Sequence, residues 1–459
     1  MPLNKSPIDS YKDRLTRLGG IEEVLTQKYS TTAKLHSSYL NPYVVWISRF
    51  MGFNKKFVRA SGPYLFDEND DRYLDFLSGY GALNLGHEPP QILRALEQVA
   101  NTPNLLQAYL NPFASKLAEY LSCLTEQKLS RVFFCNSGSE ACEAAIKLAR
   151  AATGKKLLIF TEGAFHGKTM GSLSVSGREK YKTPFSPLLL DTMSVPFDDI
   201  ESLEKTFKEY KPAAFIVEPI QGEAGVIVPK DGYLKSVRNL CDRYDVLFIL
   251  DEIQTGMGRT GRMFCYEYDE IVPDILVLSK SLGGGVMPIG AILTKNEIWG
   301  RAYGSLEKCL LHTNTFGGNT RACACGIAAI RTLVDENLIH NAEEMGTLLL
   351  DKLKQLQQRF EILKSVRGKG LMIGLTVARL KGNKPFLEGA LALWIVRQLQ
   401  KRHRIIVAFA LNNYDAIRIA PPLMIDHEQI DYFISALEDV LKSAELFTRF
   451  RLVQNKVHA

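Results

Sequence analysis

A lysine that follows an apolar run is the first residue of this sequence whose position suggests chemistry. Lys280 comes two residues after the run Ile275–Leu278 and shortly before three glycines at 283–285. Four apolar residues in a row are typical of a strand buried on both faces of a sheet. Ligands bind beyond the carboxyl ends of strands in open α/β sheets, so Lys280 is a candidate Schiff-base nucleophile. The alternative is a lysine that only ends the strand and reaches solvent.

An aspartate occupies the equivalent place after another apolar strand. Asp251 follows the predicted strand 246–250, and a buried carboxylate is costly unless a cation compensates it. The protonated ring nitrogen of pyridoxal phosphate is one such cation, and a carboxylate held against it keeps the ring an electron sink. One short connection separates the two strands, so Asp251 and Lys280 can converge on one ligand. Alternatively, Asp251 caps the next turn.

The third feature is a strand, a turn of small residues and the start of a helix. The predicted strand Arg131–Cys135 continues through residues 136–139, and a helix is predicted over 140–151. Free backbone N–H groups at a helix start bind phosphate, which makes Gly138 and Ser139 candidates for that role. A plain serine cap of the helix is the alternative.

Two further residues could contact the same ligand, and one competing motif lies beside them. Phe165 could stack on a planar ligand, and Thr315, which precedes a glycine pair, suits a phosphate. Residues 167–169 resemble the end of a Walker A loop, the phosphate-binding loop of NTPases. That loop requires a glycine five residues before Gly167, where this sequence has Glu162, whose charge would repel phosphate. We therefore favour a site for a planar phosphorylated ligand.

Length and composition are those of an ordinary globular protein. The chain has 459 residues, 46% hydrophobic and 23% charged, with a formal net charge of +6. The densest basic cluster, residues 401–404, lies where a helix is predicted to end, so we expect no nucleic-acid partner. The eight cysteines lack the C-x-x-C spacing of a metal site, which favours free thiols and no metal. Without an apolar signal core or a membrane span of ~20 residues, a cytoplasmic protein without membrane contact is expected.

The order of predicted elements indicates an α/β protein with a large and a small domain. Strand-like runs alternate with helical patterns from about 80 to 340, which predicts a mostly parallel sheet flanked by helices. The predicted strands there and just before are 62–66, 73–77, Arg131–Cys135, 156–160, 213–217, 246–250, Ile275–Leu278 and 289–293. A smaller α+β domain is predicted from helices at 342–360, 387–402 and 427–447 and strands at 371–377, 405–409 and Ala416–Ile419. The predicted divisions are 1–79 (amino-terminal arm and part of the small domain), 80–340 (large domain) and 341–459 (carboxyl-terminal small domain).

Six motifs in order resemble the class III (ornithine/ω-amino acid) pyridoxal-phosphate aminotransferases. They lie at 136–141, 163–167, 218–223, 250–256, 279–280 and 315–319. The resemblance extends from about residue 60 to 435. It implies fold type I, pyridoxal 5′-phosphate as cofactor, and a homodimer with the cofactor near the subunit interface. Its partners would be a small-molecule amine donor and a keto-acid acceptor.

The resemblance also implies roles for individual residues. Lys280 would be the Schiff-base lysine and Asp251 the partner of the ring nitrogen, which makes both catalytic. After the substrate amine displaces Lys280 from the cofactor, the freed Lys280 amine would move a proton as general base and acid. The pKa of Lys280 must be lowered for this role. Gln254 would donate to the ring oxygen of the cofactor.

The other cofactor-binding residues surround the phosphate and the ring in the same resemblance. Gly138 and Ser139 would form the phosphate cup. Phe165 would stack on the ring, with His166 beside it. Thr315 would contact the phosphate across the dimer interface.

Three residues match substrate-binding positions of the family. Arg418 matches the arginine that binds the α-carboxylate of a keto acid such as 2-oxoglutarate, a task suited to a bidentate guanidinium. Glu223 matches the acid that pairs with this arginine when an amine without that carboxylate enters. Tyr80 matches residues that line the substrate entrance. A surface ion pair is the alternative interpretation of Arg418 and Glu223.

The predicted function is transfer of a terminal primary amine from a diamine or ω-amino compound, of the putrescine, ornithine or acetylornithine type. The acceptor would be a keto acid such as 2-oxoglutarate or pyruvate. Residues 284–291 and 411–413 look most like the putrescine aminotransferases, while Asn314 and Thr320 depart from the usual pattern. An aminomutase or decarboxylase on the same fold, or a non-catalytic scaffold, stays open as an alternative.

Overall fold

The chain divides by its contacts into two units, Met1–Ala60 with Leu65–Tyr73, and Ser61–Tyr64 with Leu74–Ala459. The computed structural model describes residues 7–16, 18–106, 108–379 and 389–457. The amino-terminal residues 1–5 and the first two residues of the predicted helix 387–402 lie outside these ranges. The predicted domain boundaries near 80 and 341 stay predictions.

Strands occur from residue 57 onward in the described part of the chain. They are β1 (Phe57–Ser61), β2 (Tyr64–Asp67), β3 (Arg72–Asp75), β4 (Arg131–Cys135), β5 (Leu158–Thr161), β6 (Thr192–Val195), β7 (Ala214–Val217), β8 (Leu247–Asp251), β9 (Ile275–Leu278), β10 (Gly290–Thr294), β11 (Leu363–Lys369), β12 (Met372–Val377), β13 (Ile405–Ile406), β14 (Ala408–Phe409) and β15 (Ala416–Ile419). Most lie within two or three residues of a predicted strand. Three lie outside the predicted strands, namely β1, β6 and β11.

Helices precede, separate and follow these strands. They are α1 (Pro7–Thr16), α2 (Ile21–Thr26), α3 (Tyr29–Tyr39), α4 (Pro42–Met51), α5 (Ser78–Gly81), α6 (Pro90–Gln98), α7 (Pro112–Leu124), α8 (Gly138–Thr153), α9 (Met170–Ser174), α10 (Glu179–Lys182), α11 (Ile200–Tyr210), α12 (Tyr233–Tyr244), α13 (Asn296–Tyr303), α14 (Thr320–Asp335), α15 (Leu338–Arg359), α16 (Ala390–His403) and α17 (His427–Val457). Single 3-10 turns cover Thr183–Phe185, Cys265–Asp269 and Lys280–Gly283. Among the described residues, no helix is both long enough and apolar enough to cross a membrane.

The central sheet lies in the second unit and has the strand order β4-β10-β9-β8-β7-β5-β6. The pairs from β9 to β6 are parallel. Strand β10 runs antiparallel to both of its neighbours, β4 and β9. The predicted mostly parallel sheet flanked by helices is therefore confirmed, with one reversed strand.

Helix α8 packs on this sheet with a face of small side chains. Its buried residues include Ala141, Cys142, Ala144, Ala145 and Ala149, and the helix contacts strands β4 and β7 to β10. Small side chains let a helix approach a sheet closely, because little volume has to fit between the two layers. The amino-terminal end of α8 is thereby fixed near the sheet edge where β8 and β9 end.

A second, antiparallel sheet has the order β11-β12-β15-β14 and belongs to the predicted smaller α+β part. In it Arg418 of β15 pairs with Gly374 and with Ala408. The single strand predicted over 405–409 was wrong, because the chain changes partner at Val407. Strand β13 pairs in parallel with the end of β3, whereas β14 pairs with β15.

The ends of three adjacent parallel strands bring polar residues to one edge of the central sheet. Register pairs join Val217 with Leu250 and Asp251 with Val277, so β7, β8 and β9 end side by side. The chain turns sharply after β9, where Lys280 has a φ of +47°. A non-glycine residue in this left-handed region is uncommon and is held there by its surroundings.

Candidate active site

A cavity of about 190 Å³ lies at this edge of the sheet. Its walls come from the start of α8, the turn after β5 and the segments that follow β7, β8 and β9. The lining residues are Ser137, Gly138, Ser139, Phe165, His166, Gly167, Glu218, Ile220, Asp251, Ile253, Gln254, Thr255, Ser279 and Lys280. Seven predicted cofactor-binding residues are therefore brought together around one space, and Thr315 is not among them.

The amine of Lys280 is a candidate nucleophile at the wall of the cavity. Burial and, to a smaller extent, the positive charge of Arg418 lower the pKa of Lys280 to about 8. Because a neutral amine is the nucleophilic form, this shift makes the lysine reactive near neutral pH. Ser279, the preceding residue, donates its hydroxyl to the carbonyl oxygen of Ile289 at 2.8 Å, which anchors the turn.

The carboxylate of Asp251 is buried and held from three sides. His166 Nδ1 lies 2.7 Å from Asp251 Oδ2, and the Ile253 N–H donates to Oδ1 at 3.0 Å. The thiol of Cys142, from α8, lies 3.6 Å from Oδ2. These contacts fix the carboxylate at the cavity wall, whereas the Nε2 atom of His166 is buried without a hydrogen-bond partner in the described residues.

The group Cys142, His166 and Asp251 also has the spacing of possible metal ligands. Their ligand atoms lie within 4.8 Å of one another, and all three residues are buried. Burial and the nearby Asp251 carboxylate raise the pKa of the Cys142 thiol well above its ordinary value. A protonated thiol is a hydrogen-bond donor and a poor metal ligand. The arrangement therefore favours a hydrogen-bonded cluster that orients Asp251.

The start of α8 presents a turn of small residues to the cavity. Ser137 caps the helix by accepting from the Glu140 N–H at 3.2 Å, so the serine cap weighed from the sequence is present. Gly138 leaves no room for a side chain, since a Cβ there would lie 2.8 Å from Ile253 Cδ1. Backbone N–H groups near this glycine are thus open to a close approach by phosphate.

A second buried carboxylate, Glu218, lines the cavity and received no role from the sequence. It follows β7 as Asp251 ends β8, so the same signal of a carboxylate after an apolar strand was available. Its Oε1 accepts from the Phe165 N–H at 2.9 Å and its Oε2 from the Gly222 N–H at 3.0 Å. Burial and the neighbouring Asp251 raise the pKa of Glu218 to about 7. Through Phe165, this carboxylate holds the aromatic wall of the cavity in place.

A buried ion pair lies next to the cavity. Arg418 Nη2 is 2.7 Å from Glu223 Oε1 and donates to Gln254 Oε1 at 2.8 Å. The side chains of Arg418 and Glu223 are 2% and 6% exposed, which excludes the surface ion pair considered from the sequence. The Nε and Nη1 atoms of Arg418 are buried without hydrogen-bond partners among the described residues. Such a guanidinium is poised to receive a further carboxylate.

Tyr80 stands on a strained turn against the same arginine. Its ring centre lies 5.6 Å from the Arg418 guanidinium carbon, and its φ is +60°. Asp75 Oδ1 stabilises this turn by accepting from the N–H groups of Leu77 and Ser78 at 2.8 and 2.9 Å. Tyr80 is 47% exposed, so it lies at the outer side of the ion pair.

Comparison with known proteins identifies the family. The sequence model described as Aminotransferase class-III matches residues 52–441. The chain belongs to this family. The aminotransferase PigE of Serratia sp. (strain ATCC 39006) is 37% identical, and the match covers 96% of this chain and 57% of PigE. The chain thus spans little more than half the length of that relative.

Solved structures agree in fold over nearly the whole chain. The ornithine aminotransferase from Toxoplasma gondii ME49 has a TM-score of 0.81 at 30% identity, covering 96% of this chain and 99% of that one. The acetylornithine aminotransferase from Elizabethkingia anophelis has a TM-score of 0.72 at 31% identity, covering 87% and 98%. The expected fold type I architecture is confirmed.

Members of the class III aminotransferase family depend on pyridoxal 5′-phosphate, and the cavity of this chain fits that cofactor. An amine and a buried carboxylate stand at its wall in Lys280 and Asp251. The Nε2 atom of His166, which has no hydrogen-bond partner in the described part of the chain, offers a further polar contact. The tight space at Gly138 matches a backbone that must approach a phosphate closely. Pyridoxal 5′-phosphate is therefore the cofactor of this chain.

Proposed function

We propose that this class III aminotransferase moves the terminal primary amine of a diamine or ω-amino compound to a keto acid such as 2-oxoglutarate or pyruvate. The observation that carries the proposal is the buried pair of Arg418 and Glu223, with 2.7 Å between nitrogen and oxygen. A terminal amine has no carboxylate on its reacting carbon, so it can enter while Glu223 neutralises Arg418. A keto acid brings a carboxylate that can replace Glu223 on the guanidinium.

The names of two structural relatives support an ω-amino donor. They are an ornithine aminotransferase and an acetylornithine aminotransferase. A donor of the putrescine, ornithine or acetylornithine type is therefore the proposed substrate class. Tyr80, 5.6 Å from the Arg418 guanidinium carbon, would line the path of that donor.

Lys280 and Asp251 are the proposed catalytic residues. When bound, pyridoxal phosphate supplies an electron sink conjugated with the substrate carbon. Lys280 would carry a proton to and from that carbon, a role suited to an amine whose pKa is about 8. Asp251 would hold the proton on the ring nitrogen, and His166, 2.7 Å away, would orient this carboxylate.

The remaining cavity residues would bind the cofactor without reacting. Gly138 and Ser139 would present backbone N–H groups to the phosphate at the start of α8. Phe165, whose N–H is held by Glu218, would stack on the ring. Gln254, which accepts from Arg418 at 2.8 Å, would donate its amide to the ring oxygen.

A homodimer is part of the proposal, because Thr315 is exposed and does not line the cavity of its own chain. Large apolar side chains on nearby segments are exposed as well, including Leu306 at 95%, Leu310 at 77% and Phe316 at 53%. Burial of such side chains against a second copy would remove apolar area from water. Thr315 would then reach the cofactor phosphate of the other subunit.

The experiment follows each half of the reaction separately. Protein loaded with pyridoxal phosphate is mixed with one amine at a time, and the absorbance of the bound cofactor is recorded. Terminal diamines and ω-amino acids should convert the cofactor to its aminated form without any keto acid. Added 2-oxoglutarate or pyruvate should restore the original spectrum. Lys280→Ala is the control, in which neither change should occur at a comparable rate.

Other outcomes of the same experiment contradict the proposal in distinct ways. Release of carbon dioxide from the donor would indicate a decarboxylase. Migration of the amine within one molecule, without an aminated cofactor, would indicate an aminomutase. A protein that binds the cofactor but converts none of the panel would be a scaffold.

A further inference from the structure

The loop between β14 and β15 contacts Glu223 through two successive backbone N–H groups. The Leu411 N–H donates to Glu223 Oε2 at 3.1 Å, and the Asn412 N–H donates to the backbone oxygen of Glu223 at 2.9 Å. The loop continues into β15, which carries Arg418. It therefore holds both the main chain and the side chain of the acid that pairs with Arg418.

The other side of this loop is held by residues that do not line the cavity. The carbonyl oxygen of Leu411 accepts hydrogen bonds from the Arg178 guanidinium and, at 3.3 Å, from the Tyr181 hydroxyl. The Arg178 guanidinium carbon also lies 4.8 Å from the ring centre of Tyr414, at the end of the loop. Arg178 and Tyr181 thus act on the loop from outside the site.

The backbone that carries the Arg178 side chain is held in place by a tight turn. The preceding residue, Gly177, donates its N–H to the Ala164 carbonyl at 2.8 Å, and a Cβ at Gly177 would lie 2.2 Å from the nitrogen of Gly163. The Asn412 side chain donates to the carbonyl of Gly163 at 3.0 Å. The same tight turn therefore anchors both the loop and the arginine that holds it.

We infer that Arg178 and Tyr181 are positioning residues that keep Glu223 on Arg418 through the Leu411 carbonyl, and so favour the amine over the keto acid. The carbonyl of Leu411 and the N–H of Asn412 belong to one peptide group. Its carbonyl accepts from Arg178 and Tyr181, and its N–H donates to the backbone oxygen of Glu223. Hydrogen bonds at both ends of a peptide polarise and reinforce each other. This inference rests on the proposed function, in which the keto acid displaces Glu223 from Arg418.

The inference predicts opposite changes for the two substrates. Loss of the Arg178 or Tyr181 contact should loosen the loop and weaken the Glu223–Arg418 pair. A keto-acid carboxylate would then compete more easily for Arg418, while an amine donor would meet an arginine that is less well neutralised. General damage to the fold would instead weaken the binding of both substrates.

The test measures binding of glutarate, a dicarboxylate without a keto group, to the protein loaded with pyridoxal phosphate. Calorimetry should give about three- to tenfold tighter binding to Arg178→Gln and Tyr181→Phe than to wild type, as expected for loss of one or two hydrogen bonds. Lys182→Gln is the matched control. Lys182 belongs to the same basic segment, but it pairs with Glu179 at 3.2 Å and lies 5.0 Å from the Phe160 ring centre.

The kinetic counterpart is a rise in the KM of the amine and a fall in the KM of the keto acid in Arg178→Gln. Unchanged or weaker glutarate binding in both variants, with an unaltered melting temperature, would overturn the inference. The inference would also be overturned if Lys182→Gln gave the same tighter glutarate binding, since the loss of a positive charge would then explain the change. Failure of glutarate to bind any of these proteins would remove Arg418 as the carboxylate site and the inference with it. If the glutarate pattern is as expected but wild type aminates no cofactor, only the proposed function fails.

Discussion

Asp251 Oδ2 and His166 Nδ1 lie 2.7 Å apart, and both side chains are almost completely buried. The histidine comes from the turn after β5 and the aspartate from the end of β8, so the contact joins two separate elements of the sheet edge. Because Cys142 also approaches Oδ2 at 3.6 Å, the carboxylate has little freedom to rotate. A carboxylate held in this way keeps one orientation towards the cavity.

The first prediction concerns the charge of Asp251. Asp251→Asn keeps the shape of the side chain but removes the negative charge proposed to face the ring nitrogen. Breaking a buried ion pair costs about 3–5 kcal/mol, so kcat should fall by roughly two to four orders of magnitude. Steady-state kinetics with saturating cofactor would measure this loss.

The neighbouring acid provides the control for that variant. Glu252 is also buried, and it accepts from the N–H groups of Cys265 and Tyr266 at 2.7 and 2.8 Å without lining the cavity. Glu252→Gln should lower the melting temperature and leave the kcat of the folded enzyme near wild type. Equal loss of kcat in both variants would contradict a specific role for Asp251.

The second prediction is the pH dependence of cofactor capture by Lys280 in the cofactor-free protein. Since its pKa is lowered to about 8, about half of the amine is neutral at pH 8, and nearly all of it is neutral from roughly one pH unit above that value. The capture rate should rise about tenfold per pH unit below 8 and then level off. A lysine with the ordinary pKa of about 10.4 would show a rate that still rises beyond pH 9. Rapid-mixing absorbance measurements distinguish the two curves, and Lys280→Arg should capture none.

Part of this site could be predicted from the sequence because it depends on local patterns. Asp251 and Lys280 each follow an uninterrupted apolar run, and the ends of neighbouring parallel strands meet at one edge. Glu218 follows β7 in the same way and could have been expected in the cavity wall. The small residues near Gly138 likewise predict a helix start, because this pattern does not depend on residues elsewhere in the sequence.

Other features depend on contacts that no local pattern encodes. Cys142 meets Asp251 across 109 positions of the sequence, and Arg178 meets Leu411 across 233. The reversal of β10 between β4 and β9 is equally invisible, because a buried strand has the same apolar composition in either direction. The strand β11 was missed because most of its residues are only partly buried and several are charged.

The third prediction tests whether the start of α8 needs a glycine at position 138, where the backbone lies close to Ile253. Gly138→Ala would put a Cβ 2.8 Å from Ile253 Cδ1, and overpacking of this kind costs about 1–3 kcal/mol. Affinity for pyridoxal phosphate should therefore fall by roughly fivefold to a hundredfold, as measured by titration of the cofactor-free protein. The second change Ile253→Val removes the crowding methyl group and should restore part of the affinity.

A glycine in open surroundings provides the comparison. Gly300 lies within α13, and a Cβ there would meet no atom of the described residues within 4 Å. Gly300→Ala should leave cofactor affinity unchanged and slightly raise the melting temperature, because alanine favours a helix interior. Unchanged affinity in Gly138→Ala would contradict a phosphate site at this turn.

The last prediction separates the charge of Arg418 from its shape. Arg418→Lys keeps a cation near Glu223 but loses the planar fork, of which Nε and Nη1 are buried without partners in the described residues. A lysine cannot bind a carboxylate in the bidentate manner, so the KM of the keto acid should rise by roughly tenfold or more. The amine half-reaction should change much less, since the amine needs only a neutralised cation at this position.

Arg259 is equally buried, but it binds the backbone oxygen of Leu371 at 3.0 Å and the Asn84 side chain at 2.6 Å. Arg259→Lys should therefore lower stability without a selective rise in the keto-acid KM, and an equal effect of both variants on the two half-reactions would contradict carboxylate recognition by Arg418.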